Sequence, residues 1–230
     1  MFSVFAMKKR ACVVQFLGSN CDDEGVRAIQ TAGFEVEKIF YTNGLDENAK
    51  YDLIFIPGGF SYGDYLRTGV MAARSKIMDD VAKRAAQGVS VVGVCNGFQI
   101  LAECGLVDGV LMKNSGGQFI CKNIYLKTHE NSANKIFANL SSINKAQIAH
   151  GEGLYYNTPD KIKQLQDENK IAFYYCNAEG EIASESNPNG SLFNIAGVFG
   201  GKNNNVIGMM PHPERMVETG LSKQFFECFL

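Results

Sequence analysis

Several features that mark common protein classes are scarce in this chain of 230 residues. It has three histidines, and none of its seven cysteines forms a C-x-x-C pair, so we expect no structural metal site. No apolar run reaches the roughly 18 residues of a membrane span. The formal net charge of -2 provides no electrostatic surface for nucleic acid or an anionic membrane. We therefore expect neither nucleic acid nor a membrane among its partners.

The odd number of cysteines argues against a disulfide framework, and several of them lie within apolar runs. Both features indicate reduced thiols and a cytoplasmic protein. The start of the chain, MFSVFAMKKR, is too short for a signal peptide and places its apolar residues before its charges. We interpret residues 1–10 as a lead-in segment that begins at either Met1 or Met7.

Apolar runs alternate with helical patterns in the first half of the chain. Strands are predicted at 11–17, 34–40, 53–56 and 89–94, and helices at 22–32, 67–87 and 98–104. Runs that are apolar throughout are typical of strands buried on both faces of a sheet. This alternation predicts an α/β fold with a mainly parallel central sheet flanked by helices.

The second half has shorter strand patterns separated by polar turns. They fall at 118–127, 147–149, 171–175, 193–199 and 206–210, the last two forming a hairpin-like pair; helices are predicted at 158–168 and 221–230. No internal repeat or linker interrupts the chain, so we expect one domain over residues 1–230.

The candidate nucleophile is Cys95, in the sequence GVCNG at 93–97. The pattern G-x-C-x-G between a buried strand and a helix is the cysteine form of the nucleophile elbow. Such a turn presents the sulfur at the carboxyl end of the sheet, and the following helix directs its positive end at the sulfur. The alternative is a buried structural cysteine in a glycine-rich turn.

A base and its orienting partner are expected in MPHPER, residues 210–215. The two prolines favour extended backbone, which would place His212 and Glu214 on one face. His212 would take the thiol proton and return a proton to the leaving group, while Glu214 orients the imidazole. Taken alone, the pair could instead be surface residues of a proline-rich loop.

An oxyanion site needs backbone donors from two loops. The N–H of Asn96 is one candidate, and the loop PGGF at 57–60 follows another buried strand at the same sheet edge. Glycine at Gly58 and Gly59 allows the backbone to approach a substrate closely. A plain structural turn is the alternative interpretation of this loop.

Together these residues resemble the class I, or triad-type, glutamine amidotransferases. The elbow Cys-x-Gly-x-Gln of that family is CNGFQ at 95–99, its late His-x-Glu is 212–214, and its Gly-Gly oxyanion strand is 58–59. The resemblance implies a flavodoxin-like α/β fold. It also implies that Gly59, Phe60 and Asn96 form the oxyanion hole, and that substrate is bound by Gly58, Gln99, His150, Gly151 and Glu152.

Five segments narrow the resemblance to the PurQ family, the glutaminase subunits of phosphoribosylformylglycinamidine synthases. They are 18–22, 57–67, 93–99, 149–153 and 208–215. The resemblance implies that glutamine is hydrolysed to glutamate and ammonia, which passes to a synthetase subunit beside a small accessory subunit. The chain lacks a G-x-x-x-x-G-K-[ST] loop, so ATP and magnesium are expected in the synthetase and no cofactor in this chain.

Two other functions remain open from the sequence. One is another Cys-His hydrolase on the same fold, such as a γ-glutamyl hydrolase or peptidase, and the other is a non-catalytic binding subunit. For Cys21 we expect only a turn residue near a subunit interface, and no role is assigned to residues 121–148.

Overall fold

The computed structural model describes residues 8–129 and 135–230, so residues 1–7, with both candidate initiators, lie outside the described part. The helices are α1 (Asp22–Thr31), α2 (Val70–Ala73), α3 (Lys76–Ala86), α4 (Asn96–Glu103), α5 (Pro159–Asp167) and α6 (Leu221–Glu227). The strands are β1 (Arg10–Gln15), β2 (Glu35–Phe40), β3 (Leu53–Ile56), β4 (Ser90–Val94), β5 (Val110–Met112), β6 (Ile120–Thr128), β7 (Ile143–His150), β8 (Leu154–Tyr156), β9 (Ile171–Cys176), β10 (Ile195–Gly200) and β11 (Val206–Met209).

A nine-stranded sheet runs through the described residues in the order β2-β1-β3-β4-β11-β10-β9-β6-β7. The five strands from β2 to β11 pair in parallel. The remaining neighbours pair antiparallel, including the β10–β11 hairpin that the sequence predicted. The α/β prediction is therefore confirmed. The parallel half of the sheet contains β4, whose carboxyl end is followed directly by Cys95.

Helices cover both faces of the parallel half. The ring of Phe55 in β3 packs 5.5 Å from that of Phe226 in α6, centroid to centroid. The next side chain, Ile56, points to the opposite face, where a Cβ on Gly97 of α4 would lie 2.0 Å from the Ile56 carbonyl oxygen. Burial on two faces explains why all four residues of β3 are buried and apolar.

Two secondary-structure predictions were wrong in detail, and one small sheet was not predicted. The helix predicted at 67–87 is broken, because Ser75 adopts extended backbone (φ -77°, ψ 150°) between α2 and α3. The small antiparallel sheet of β5 and β8 was missed, since each of its strands has only three residues. Helix α4 begins directly after Cys95, two residues earlier than predicted.

The start of helix α5 was predicted correctly from its local residue types. Thr158 lies in extended backbone before the helix, its hydroxyl oxygen accepts a hydrogen bond from the N–H of Lys161, and Pro159 occupies the first turn. These are the residue types that favour a helix start. Among the helices of residues 8–129 and 135–230, none is both long and apolar enough to cross a bilayer.

Candidate active site

Cys95 is the single residue that joins β4 to α4, and its backbone is strained. Its φ of 53° and ψ of -108° lie outside the regions that L residues prefer. Its N–H donates to the carbonyl oxygen of Met209 at 2.8 Å, which fixes the turn to β11. A Cβ on Gly93 would lie 2.6 Å from the carbonyl oxygen of Gly97, so the elbow requires glycine there.

The sulfur of Cys95 lies at the wall of a cavity. The residue is 6% exposed, and its Sγ is 3.6 Å from the carbonyl oxygen of Ala149 at the end of β7. Helix α4 begins at the next residue, so its positive N-terminal end lies beside Cys95. This arrangement favours negative charge on a substrate oxygen bound there.

His212 and Glu214 are paired in the core of the protein. Nδ1 of His212 lies 2.6 Å from Oε1 of Glu214, and both residues are 1% exposed. Extended backbone, the reason given from the sequence, is wrong, because Pro213–Arg215 forms a 3-10 turn. The turn nevertheless brings the carboxylate back onto the imidazole. The N–H of His212 donates to the carbonyl oxygen of Gln147 at 2.8 Å, which ties the loop to β7.

The charge state of His212 follows from its neighbours. Burial opposes protonation, but the negative charges of Glu214 and Cys95 outweigh it and raise the pKa of His212 well above its ordinary value. The Nε2 atom of His212 is buried and has no hydrogen-bond partner among the described residues. Nδ1 of His212 is therefore hydrogen-bonded to the Glu214 carboxylate, and Nε2 is available for proton transfer.

Gly58 stands where the site residues meet. A Cβ at this position would lie 2.7 Å from Cε1 of His212, 3.2 Å from Sγ of Cys21 and 3.3 Å from Cβ of Cys95. The first of these contacts is closer than real Cβ atoms approach, so a side chain here would displace the imidazole. The structure thus brings together the cysteine, the histidine and the Gly-Gly loop that the sequence predicted from distant segments.

The expected oxyanion donors differ in how they are engaged. The N–H of Phe60 donates to the carbonyl oxygen of Gly18 at 3.0 Å. Gly59 has a φ of 144°, which other residues rarely adopt. The side-chain oxygen of Asn96 accepts from the N–H of Ser61 at 3.2 Å, so the nucleophile's helix is tied to the same loop.

A cavity of about 250 Å³ opens onto Cys95. Of the residues predicted to bind substrate, it contains four, and Gly58 is not among its lining. Its lining residues are Gly59, Phe60, Asp64, Thr68, Cys95, Gln99, Phe119, Ala149, His150, Gly151 and Glu152. We name it the nucleophile cavity. A larger cavity of about 620 Å³ is lined by Glu214 and Arg215 but not by Cys95.

Two of the predicted substrate residues are fixed by hydrogen bonds. The side-chain NH2 group of Gln99 donates to the backbone carbonyl oxygen of Glu152 at 2.6 Å. Its side-chain oxygen accepts a hydrogen bond from the side-chain NH2 group of Asn96 at 2.9 Å. His150 is 3% exposed, and burial, with a smaller effect of the charge of His212, lowers its pKa to about 4. His150 is therefore neutral at physiological pH.

Sequence reasoning missed Asn114. This residue lies just after β5, and its side-chain oxygen is 3.1 Å from Nδ1 of His150 and accepts the N–H of Gly153 at 3.0 Å. Its amide also donates to the carbonyl oxygen of His150 at 2.9 Å. This asparagine thus connects both ends of the loop between β7 and β8. No local pattern marks it, because its partners are about 40 residues away in the chain.

Cys21, for which the sequence predicted a turn residue near a subunit interface, lies just before α1 and is buried. It is 1% exposed, and Nη2 of Arg215 donates to its Sγ at 2.9 Å. Ligand atoms of Cys21, His212 and Glu214 lie within 4.8 Å of one another, a spacing that could hold a metal ion. The guanidinium beside the sulfur would repel a cation, so the set fits a metal poorly.

Comparisons with known proteins identify the family of this chain. The family model described as the CobB/CobQ-like glutamine amidotransferase domain matches residues 8–225. The phosphoribosylformylglycinamidine synthase subunit PurQ of Pelagibacter ubique is 48% identical over 210 residues, which are 91% of each chain. The chain belongs to the PurQ family of glutamine amidotransferases. The family also includes a protein from Pyrococcus horikoshii, 43% identical over 92% of this chain and 91% of that one.

Solved structures extend the comparison from sequence to fold. The PurLQS structure from Thermotoga maritima matches with a TM-score of 0.79 and 41% identity, and the match covers 97% of this chain and 96% of that one. A glutamine amidotransferase from Thermotoga maritima matches with a TM-score of 0.54 at 14% identity, over 97% of this chain and 83% of that one. The second likeness concerns the fold alone.

Proposed function

We propose that this chain is the glutaminase subunit of a phosphoribosylformylglycinamidine synthase. Glutamine is hydrolysed to glutamate and ammonia, and the ammonia is used to convert formylglycinamide ribonucleotide to the amidine in purine biosynthesis. The observation that carries the proposal is Cys95 in a strained elbow above the nucleophile cavity, in a chain of the PurQ family. The buried His212–Glu214 pair beside the same loop supplies the base.

The first half of the reaction forms a thioester. Nε2 of His212 accepts the thiol proton, and Sγ of Cys95 attacks the side-chain amide carbon of glutamine. Glu214 accepts a hydrogen bond from Nδ1–H, which orients the ring and, with the raised pKa of His212, stabilises the imidazolium that forms when Nε2 takes the thiol proton. The imidazolium then donates its proton to the leaving ammonia. Water attacks the thioester in the second half, again with His212 as base, and releases glutamate.

The oxyanion of both steps needs backbone donors, for which we propose Gly59, Phe60 and Asn96. The N–H of Phe60 is bonded to Gly18 in this conformation, so it becomes available only after the loop 58–60 shifts. We propose that docking of the synthetase produces this shift, since a glutaminase without a partner would waste glutamine. For substrate binding we propose Gly58, Gln99, His150, Gly151 and Glu152, of which all but Gly58 line the cavity.

The proposed complex divides the chemistry between chains. The sequence has no G-x-x-x-x-G-K-[ST] loop, which supports the proposal that ATP and magnesium act in the synthetase subunit. We propose a small accessory subunit as the third component and the cytoplasm as the location, in keeping with seven cysteines that form no disulfide framework. We also propose a single domain, because one sheet connects both halves of the described residues.

Reconstitution with the synthetase and accessory subunits of the same source tests the function. Cys95→Ala should abolish synthesis of the amidine with glutamine, by at least about 10³-fold, and leave synthesis with ammonium salts unchanged. Cys121→Ala, at an exposed cysteine, is the matched control and should change neither rate. Cleavage of γ-glutamyl peptides, with no glutaminase activity at saturating partner, would instead identify a different Cys-His hydrolase.

A further inference from the structure

The nucleophile cavity has an unbalanced charge. Two carboxylates, Asp64 and Glu152, belong to its lining, and among the described residues that line it none is lysine or arginine. The only histidine there, His150, is neutral because its pKa is about 4. This wall therefore favours a substrate that brings a positive charge of its own. Asp64 is not among the residues that the sequence marked for substrate binding.

Asp64 is placed at the cavity by unusual backbone. Tyr62 (φ 54°), Gly63 (φ 66°) and Asp64 (φ 55°) are all left-handed, and Asp64 lines the same cavity as Cys95. Such a run is costly for residues other than glycine and tends to occur at functional sites. The side chain is partly buried, and its Oδ1 atom is buried without a hydrogen-bond partner among the described residues.

The neighbouring groups add acceptors to this part of the cavity and leave it short of donors. The Glu152 carboxylate accepts a short hydrogen bond from the hydroxyl of Thr68, and no cation pairs with it among the described residues. Nε2 of His150, which is 3% exposed, is also buried without a partner. Burial, followed by the charge of Glu152, raises the pKa of Asp64 to about 6. Each of these conditions would be relieved by a ligand that donates N–H bonds and carries positive charge.

We infer that Asp64, together with Glu152, binds the α-ammonium group of glutamine and selects substrates that carry it. The inference rests on the proposed glutaminase function, because the cationic donor is part of that substrate. The amide end of glutamine must reach Sγ of Cys95, and its α-ammonium is the only cationic group the molecule offers. Asp64 touches substrate but takes no part in bond making, so it acts on specificity.

The substrate glutaramate, which is glutamine without its α-amino group, isolates this contact. Ammonia release is measured from glutamine and from glutaramate with the complete complex, for wild type and for Asp64→Asn. Asparagine has nearly the same size and tolerates left-handed backbone, so the variant removes charge with little change of shape. Asp160→Asn, at an exposed position on α5, is the matched control.

The expected result is a change in selectivity. In Asp64→Asn, kcat/KM for glutamine should fall about 10- to 100-fold, the usual effect of losing one charge-assisted hydrogen bond, while that for glutaramate stays within about twofold. Most of the loss should appear in KM. Asp160→Asn should leave both values unchanged. Because unfolded protein lowers both rates equally, the ratio of the two is independent of how much of the variant folds.

An unchanged ratio, whatever the absolute rates, would overturn the inference. If wild type hydrolyses glutaramate too slowly to measure, competitive inhibition by glutamate and by glutarate gives the same comparison, and Asp64→Asn should weaken only glutamate. Failure of the proposed function looks different, since wild type would then release no ammonia from glutamine. The two failures can therefore be told apart in one set of assays.

Discussion

Replacing Glu214 with glutamine tests the electrostatic basis of the site. The substitution keeps the size of the side chain and removes its charge, 2.6 Å from Nδ1 of His212 in a setting where both residues are 1% exposed. Two unit charges about 4 Å apart interact by about 4 kcal/mol at an effective dielectric constant near 20. Because the charge of Glu214 raises the pKa of His212, we expect that pKa to fall in Glu214→Gln.

Catalysis should fall more steeply than the pKa change alone suggests. The amide of glutamine can present its NH2 group to Nδ1, which favours the tautomer with the proton on Nε2 and removes the base. In other triads the comparable substitution lowers kcat about 10⁴-fold, and we expect a loss of at least about 10³-fold in glutamine-dependent synthesis. Synthesis with ammonium salts should stay unchanged.

Nuclear magnetic resonance of labelled histidine measures the pKa directly. The chain has three histidines, so three ring signals are expected. In wild type, His150 should titrate near pH 4 and His212 well above its ordinary value. Glu218→Gln, at an exposed position close by in the chain, is the control and should shift neither. An unchanged His212 titration in Glu214→Gln would refute the electrostatic reasoning.

Stability gives an independent check of the same pair. The folded pKa of His212 lies above its unfolded value of about 6.5, so its contribution is complete below that pH and is lost as pH rises through the folded pKa. The free energy of unfolding should therefore fall over this window in wild type. The fall should be smaller in Glu214→Gln, and denaturant unfolding at a series of pH values measures it.

Three further outcomes are expected. A glutamine-mimicking alkylator should modify Cys95 alone, as read by peptide mass spectrometry; modification of Cys21 with Cys95 intact would contradict the assignment. Gly58→Ala should lower the free energy of unfolding by about 1 to 3 kcal/mol and abolish activity, because its Cβ would meet the ring of His212. Gly116→Ala is the control and should have neither effect, because a Cβ there meets nothing within 4 Å. The isolated chain should hydrolyse glutamine slowly and be activated by the synthetase, and full activity without a partner would remove the reason for a docking shift of the loop 58–60.

The elbow was readable in the sequence because all of its determinants are local. A buried strand, a G-x-C-x-G turn and a helix follow one another within 89–104, and each has its own sequence pattern. The His212–Glu214 pair was also predicted, but for the wrong reason, since a 3-10 turn and not extended backbone unites the two. Pro211 and Pro213 are compatible with extended backbone and with a 3-10 turn. The residue types therefore predicted that His212 and Glu214 pair, but not the backbone conformation that pairs them.

Long-range contacts account for what was missed. Asn114, Cys21 and Asp64 approach the site from loops whose own patterns are those of ordinary turns. The break in the predicted helix at Ser75 has a different reason. The helical sequence pattern continues through Ser75, so it does not show that the backbone there is extended.

The sequence by itself determined the α/β architecture and the family and predicted a nucleophile and a base, because periodicity and short motifs encode local structure. Only the tertiary structure decided which unpatterned residues surround the nucleophile cavity, that Phe60 bonds to Gly18, and that His150 is neutral while His212 is held toward the charged form. Those properties depend on burial and on distances between segments far apart in the chain. Such quantities exist only once the chain has folded.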